Sequence, residues 1–149
     1  MNFSYTPYSL PLIVAAGISI FVAIYAWRHR SSPGAPALTL LAAAIAQWIL
    51  GYILEISSTD LNTIYIWGVS QYLGIAFAPY AWLIFAIDFA GYSKTLTRRF
   101  YAMTAAFPVI TVLLAWTTHW NGLIWTQYSI NVVDDFSAEF VADCAWAQL

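Results

Sequence analysis

The apolar stretch at residues 67–92 (WGVSQYLGIAFAPYAWLIFAIDFAGY) is the feature that most restricts how this chain can fold. Asp88 is the single charged side chain within it. The hydrocarbon core of a bilayer is about 30 Å thick, and a helix crosses it with about 20 predominantly apolar residues. The stretch therefore predicts a transmembrane helix whose membrane part is at about residues 67–89.

Three more stretches of similar character predict transmembrane helices, at about residues 10–27, 37–56 and 100–117. Only 8% of the residues are charged, whereas about a quarter are charged in a typical soluble domain. Most of the surface must therefore contact the lipid bilayer. Together these features predict an all-α membrane protein with four transmembrane helices.

The basic residues predict the orientation of the chain. All five Lys and Arg residues follow either the first or the third span: Arg28, Arg30, Lys94, Arg98 and Arg99. Because basic loops favour the cytoplasmic side, we expect the N-terminus and the segment after the fourth span to be extracytoplasmic. No Lys or Arg precedes the first span, so we expect no cleavable signal. The predicted location is the plasma membrane, with multiple crossings.

Polar residues mark one face of the second span. Gln47, Gly51 and Glu55 recur at intervals of four residues, so they share a helix face. Because polar groups are costly in contact with lipid, we expect this face to contact protein or a water-filled cavity. Gln71 lies near the same end of the next span, across a short turn. We therefore expect Glu55 and Gln71 to meet.

Two interpretations of this pair remain open. In the first, Glu55 and Gln71 belong to an outward-opening pocket for a small or lipophilic ligand. Aromatic side chains would line that pocket: Trp48, Tyr52, Trp67 and Tyr72. In the second, the pair is a structural hydrogen bond near the membrane interface, and the aromatic residues belong to the interfacial belt and the core.

The third helix carries three further features. Asp60 is one of the residues that can cap its N-terminus, so we expect the helix to begin near Leu61, before the membrane. Pro79 removes a backbone hydrogen bond in mid-span and is either a hinge or a tolerated proline without a role. Asp88 is either a switch or proton site coupled to the inner loop, or an interfacial partner of Lys94, Arg98 or Tyr92.

Several short patterns occur in a recognisable order along the chain. These are a Pro-Gly-Ala turn after the first span, aromatic, glycine and acidic positions in the second, and a Tyr-Leu-Gly triplet before a proline in the third. The positions are Trp27, Arg28, Pro33, Gly34, Ala35, Trp48, Gly51, Tyr52, Glu55, Trp67, Gln71, Tyr72, Leu73, Gly74, Pro79, Trp82, Phe85, Gly91 and residues 117–125. Over about residues 8–130, this order resembles the seven-helix N-terminal sensor region of membrane histidine kinases.

The resemblance implies that residues 1–130 are the first part of a seven-helix bundle. It also implies a sensory input module of a two-component-type signalling protein, without a kinase output domain in this sequence. Polar faces on four helices would favour a homo-oligomer or partner helices. We expect residues 131–149 to form an acidic extracytoplasmic tail, with either a weak strand or a short amphipathic helix.

Two other functions remain as alternatives. The chain could be a small oligomeric transporter or channel, although transport usually needs charge at mid-membrane and the centre of every span is uncharged. It could also be a truncated fragment without a function of its own.

The remaining composition excludes other classes of protein. A net charge of −2 without a basic cluster gives no support for a nucleic-acid partner. The one cysteine and two histidines lack metal-ligand spacing, and no phosphate loop or nucleophile–base arrangement is present. We therefore predict no catalytic residues, no metal and no cofactor, and expect this sequence not to be an enzyme.

Overall fold

The computed structural model describes residues 9–58, 60–121, 127–134 and 137–143. Within these residues, four helices are long and apolar enough to cross a membrane, which confirms the predicted fold class. They are α1 (Ser9–Arg28), α2 (Ala35–Ser57), α3 (Leu61–Phe89) and α4 (Arg98–Asn121). A short 3₁₀ helix (Ser93–Thr95) lies between α3 and α4.

The N-terminus of α3 is capped as the sequence predicts. The helix begins at Leu61, and the Asp60 carboxylate accepts hydrogen bonds from the Thr63 amide at 3.2 Å and the Thr63 hydroxyl at 2.9 Å. The helix has 29 residues, which corresponds to a length of about 43 Å. It is therefore longer than the hydrocarbon core is thick, and it continues through Pro79 without interruption.

The turn before α2 requires a glycine. Gly34 has a φ of 78°, in the left-handed region that only glycine adopts without strain. Pro36 follows in the first turn of α2, where the missing amide hydrogen has no intrahelical acceptor to lose. The left-handed glycine and the proline together end the connection from α1 and fix the position at which α2 begins.

Small residues form the contacts between the helices. In the packing order, α2 lies between α1 and α3, and α4 packs against α3. Alanine dominates the buried positions: Ala16, Ala26, Ala42, Ala44, Ala46, Ala76, Ala81 and Ala115. Large side chains such as Phe21, Met103 and Phe107 are instead exposed. This arrangement suits a bilayer, where small residues let helices approach and lipid covers the large apolar groups.

The segment after α4 contains an antiparallel hairpin of β1 (Gln127–Asp134) and β2 (Ser137–Asp143). Its register is irregular between Val132 and Asp134. Of the two alternatives for this region, the strand is the one that the structure shows. The predicted boundary at residue 130 falls within β1, and residues 144–149 lie outside the described part of the chain.

Candidate functional site

The predicted pair of polar side chains between α2 and α3 is present. The Gln71 amide nitrogen donates a hydrogen bond to the Glu55 carboxylate. Gln71 is 5% exposed, so this contact is enclosed by protein. The expectation that the two residues meet across the short turn is therefore confirmed.

The stripe of Gln47, Gly51 and Glu55 faces α3 along its whole length. The Gln47 amide nitrogen donates to the Ser70 carbonyl at 2.8 Å. Gly51 lies so close to α3 that a Cβ atom added there would be 2.7 Å from Cγ of Gln71. The prediction that this face contacts protein or a cavity is confirmed, and its partner is α3.

Gly74 is a second point of close approach, and the sequence reasoning did not assign it this role. A Cβ atom at Gly74 would collide with the Ala44 carbonyl and would be 2.7 Å from Oε1 of Gln47. The signal was available, because Gly74 lies three residues after Gln71 and therefore on the same helix face.

The predicted aromatic residues do not all lie together. Trp48 and Tyr52 are at the surface of α2, 43% and 45% exposed. Tyr72 is partly buried on α3. Trp67, also partly buried, lines a groove whose other walls come from α1 and α2. The structure therefore joins Glu55 to Gln71 and places Trp67 in this separate groove.

The groove between α1, α2 and α3 has a volume of about 520 Å³. Its lining is almost entirely apolar: Ile20, Ala23, Ile24, Ala43, Ala46, Gln47, Leu50, Gly51, Leu54 and Trp67. Two buried polar atoms on these lining residues have no hydrogen-bond partner in the described structure, Oε1 of Gln47 and Nε1 of Trp67. The first can only accept a hydrogen bond and the second can only donate one.

Asp88 joins two turns at the opposite end of α3. Its Oδ2 accepts a hydrogen bond from the Gly34 amide, and its Oδ1 accepts one from the Ser93 hydroxyl, both at 2.6 Å. A carboxylate at the start of α2 is also favoured by the helix dipole. Asp88 thus connects the end of α3 to the α1–α2 turn and to the 3₁₀ helix.

Two phenylalanines support the same junction. A Cβ atom at Gly34 would be 3.1 Å from the Phe85 ring, and the rings of Phe85 and Phe89 stack with centroids 5.5 Å apart. The turn therefore rests on the last part of α3 through an apolar contact as well as through Asp88.

Pro79 lies at the surface of α3, beside α4. It lines a smaller groove of about 300 Å³ together with Pro108 of α4 and side chains from both helices. Each proline removes one hydrogen bond from its own helix.

Four apolar helices that expose their large side chains define this chain as a multi-pass membrane protein. A family model described as the N-terminal 7TM region of histidine kinase matches residues 11–147. The chain therefore belongs to this family, as the resemblance implied. The match continues past residue 130, where we expected it to end. No curated protein matches the chain, and no solved structure does.

Proposed function

We propose that this chain is the membrane-embedded sensory input module of a two-component-type signalling system. The observation that carries this proposal is the family match over residues 11–147. In this proposal these residues detect the signal, and a kinase region elsewhere in the signalling system transfers the phosphoryl group. The proposed location is the plasma membrane, with an extracytoplasmic N-terminus and cytoplasmic basic loops.

In this proposal α3 carries the signal across the membrane. In its first half, the helix is held to α2 through Gln71 and Glu55. The other end is held to the α1–α2 turn through Asp88. The 17-residue separation of Gln71 and Asp88 corresponds to about 25 Å of helix. A change in the contact at Gln71 would therefore reach the basic, cytoplasmic side through one continuous element.

The contact at Asp88 is well placed to pass the signal from α3 to the neighbouring connections. It joins two connections that contain Arg30 and Lys94, and the other three basic residues lie at the helix ends beside these connections. A displacement of α3 along or about its axis would move both connections together, because Asp88 bonds to a backbone amide in one and a hydroxyl in the other. Pro79 lies in α3 between the two contacts. We propose that it is the hinge about which the part of α3 that ends at Asp88 tilts.

The test is a Gln71→Ala substitution at the native locus, with phosphorylation of the cell's response regulators measured on phosphate-affinity gels. We expect the phosphorylated fraction of at least one regulator to change, because the substitution removes the hydrogen bond to Glu55. Leu113→Ala, on the exposed face of α4, is the matched control. Equal phosphorylation in wild type and Gln71→Ala would contradict a sensory role for this contact.

A further inference from the structure

We propose that the end of the helix bundle formed by the α1–α2 and α3–α4 connections binds the headgroups of anionic phospholipids in the leaflet at that end. All the Lys and Arg residues of the chain lie in or beside these two connections, and all are exposed. They form the basic surface: Arg28, Arg30, Lys94, Arg98 and Arg99. Lipid binding at this surface does not depend on the proposed sensory function.

A single carboxylate brings the two connections together. Asp88 accepts a hydrogen bond from the Gly34 amide in one connection and from the Ser93 hydroxyl in the other, both at 2.6 Å. Arg30 lies four residues before Gly34, and Lys94 directly follows the serine. Basic side chains from two separate parts of the sequence therefore belong to one surface.

The charge at this end of the bundle is strongly one-sided. Asp88 is the only acidic residue within residues 28–36 and 86–101. Both of its hydrogen-bond donors, a backbone amide and a hydroxyl, are uncharged. Where α2 ends and α3 begins, the chain instead has Glu55 and Asp60 and no Lys or Arg. Because clustered basic residues beside transmembrane helices attract anionic headgroups, the charge favours such lipids at the basic surface alone.

The position of the basic surface favours lipid over a soluble acidic partner. The two connections have only six and eight residues, so the basic side chains stay close to the helix ends. The Arg30 guanidinium lies over the Trp27 ring, 5.2 Å from its centroid, and both Trp27 and Tyr92 are exposed. Trp and Tyr rings prefer the level of the headgroups. The basic surface therefore lies at that level, where a soluble partner would have to displace the headgroups.

The test uses the full chain in nanodiscs that contain equal amounts of phosphatidylcholine and phosphatidylglycerol. Spin-labelled forms of the two lipids are the probes, and electron paramagnetic resonance measures the fraction of each that the protein immobilises. We expect phosphatidylglycerol to associate at least about threefold more strongly, because each basic residue near the surface favours an anionic lipid. Raising sodium chloride from about 0.1 M to about 1 M shortens the Debye length from about 10 Å to about 3 Å and should remove most of this preference.

Arg30→Gln together with Lys94→Gln removes one positive charge from each connection and should lower the preference by at least about half. The matched control is Arg30→Lys together with Lys94→Arg, which keeps both charges and should bind like wild type. Circular dichroism and elution volume confirm that each variant is folded.

An equal preference for phosphatidylglycerol in the neutral and the charge-preserving variants would overturn the inference, as would a wild-type preference that high salt leaves unchanged. Loss of the preference when inorganic phosphate replaces chloride at equal ionic strength would also overturn it, because the surface would then bind a small soluble anion in place of lipid.

Discussion

Replacing Gly74 with alanine should force α2 and α3 apart. A Cβ atom at this position would collide with the Ala44 carbonyl, and it would lie 2.7 Å from Oε1 of Gln47 and 2.8 Å from Cβ of Trp48. Ordinary contacts of a Cβ atom are at 3.4–4 Å. The carbonyl belongs to the backbone of α2 and cannot rotate away, and Cβ of Trp48 is equally fixed to that backbone. Moving the added atom from 2.8 Å to 3.4 Å from Cβ of Trp48 already requires the helices to separate by about 0.6 Å.

The size of the effect follows from two opposing terms. Overpacking a tight contact costs about 1–3 kcal/mol, and the rigid carbonyl puts Gly74 near about 3 kcal/mol. Alanine regains up to about 1 kcal/mol over glycine within a helix. We therefore expect Gly74→Ala to lower the free energy of unfolding by about 2 kcal/mol, which is about thirtyfold in the folding equilibrium.

The assay is unfolding by sodium dodecyl sulfate in mixed micelles, followed by tryptophan fluorescence and circular dichroism. Gly17→Ala is the matched control, because a Cβ atom at Gly17 would have nothing within 4 Å. That control should be as stable as wild type or gain up to about 1 kcal/mol. If Gly74→Ala were as stable as Gly17→Ala, the close approach of α2 and α3 would be refuted.

Three further predictions concern the helix ends and the orientation. Asp88→Asn should weaken the hydrogen bond that the Gly34 amide donates to residue 88, because the acceptor loses its charge. In the same assay, it should lower the free energy of unfolding by about 1 kcal/mol. Asp60→Ala should also cost about 1 kcal/mol, because it removes the N-cap of α3. In a Cys144→Ser background, which removes the native cysteine, a membrane-impermeant maleimide added to intact cells should label Ser137→Cys and leave Ser31→Cys unlabelled.

Each of these has its own control. Asp60→Asn keeps a capping oxygen and should be close to wild type, so equal losses for alanine and asparagine would argue against capping. A wild-type stability for Asp88→Asn would show that the negative charge of Asp88 does not strengthen its hydrogen bond with the Gly34 amide. Permeabilised cells should label Ser31→Cys as well, and labelling of that variant in intact cells would reverse the proposed orientation.

The sequence was sufficient for the features that depend on local pattern. The length of the apolar stretches predicts the four helices, because a bilayer imposes that length. The four-residue spacing of Gln47, Gly51 and Glu55 and the short turn after them predict the contact with Gln71. The start of α3 follows from Asp60, since a cap acts within a single turn.

The features that depend on how the helices pack against one another could not be predicted from local sequence pattern. The bond from Gly34 to Asp88 joins residues 54 positions apart, and it exists because the start of α2 meets the end of α3. The groove that contains Trp67 depends on where α1 lies against α2, and no residue pattern in α1 fixes that position. For the same reason the six residues predicted to form one pocket lie apart. Glu55 and Gln71 form a polar pair, two aromatic residues are at the surface, Tyr72 is partly buried, and Trp67 lines the groove.

In the function that we propose, α3 connects the Gln71 contact to the α1–α2 turn. The chain has seven glycines, so selective ¹⁵N-glycine labelling resolves the Gly34 amide, and its hydrogen exchange in nanodiscs reports the bond to Asp88. We predict that Gln71→Ala accelerates exchange at Gly34 at least about threefold, since local opening free energies set exchange rates, whereas Leu113→Ala does not. Identical exchange at Gly34 in wild type and Gln71→Ala would contradict the connection.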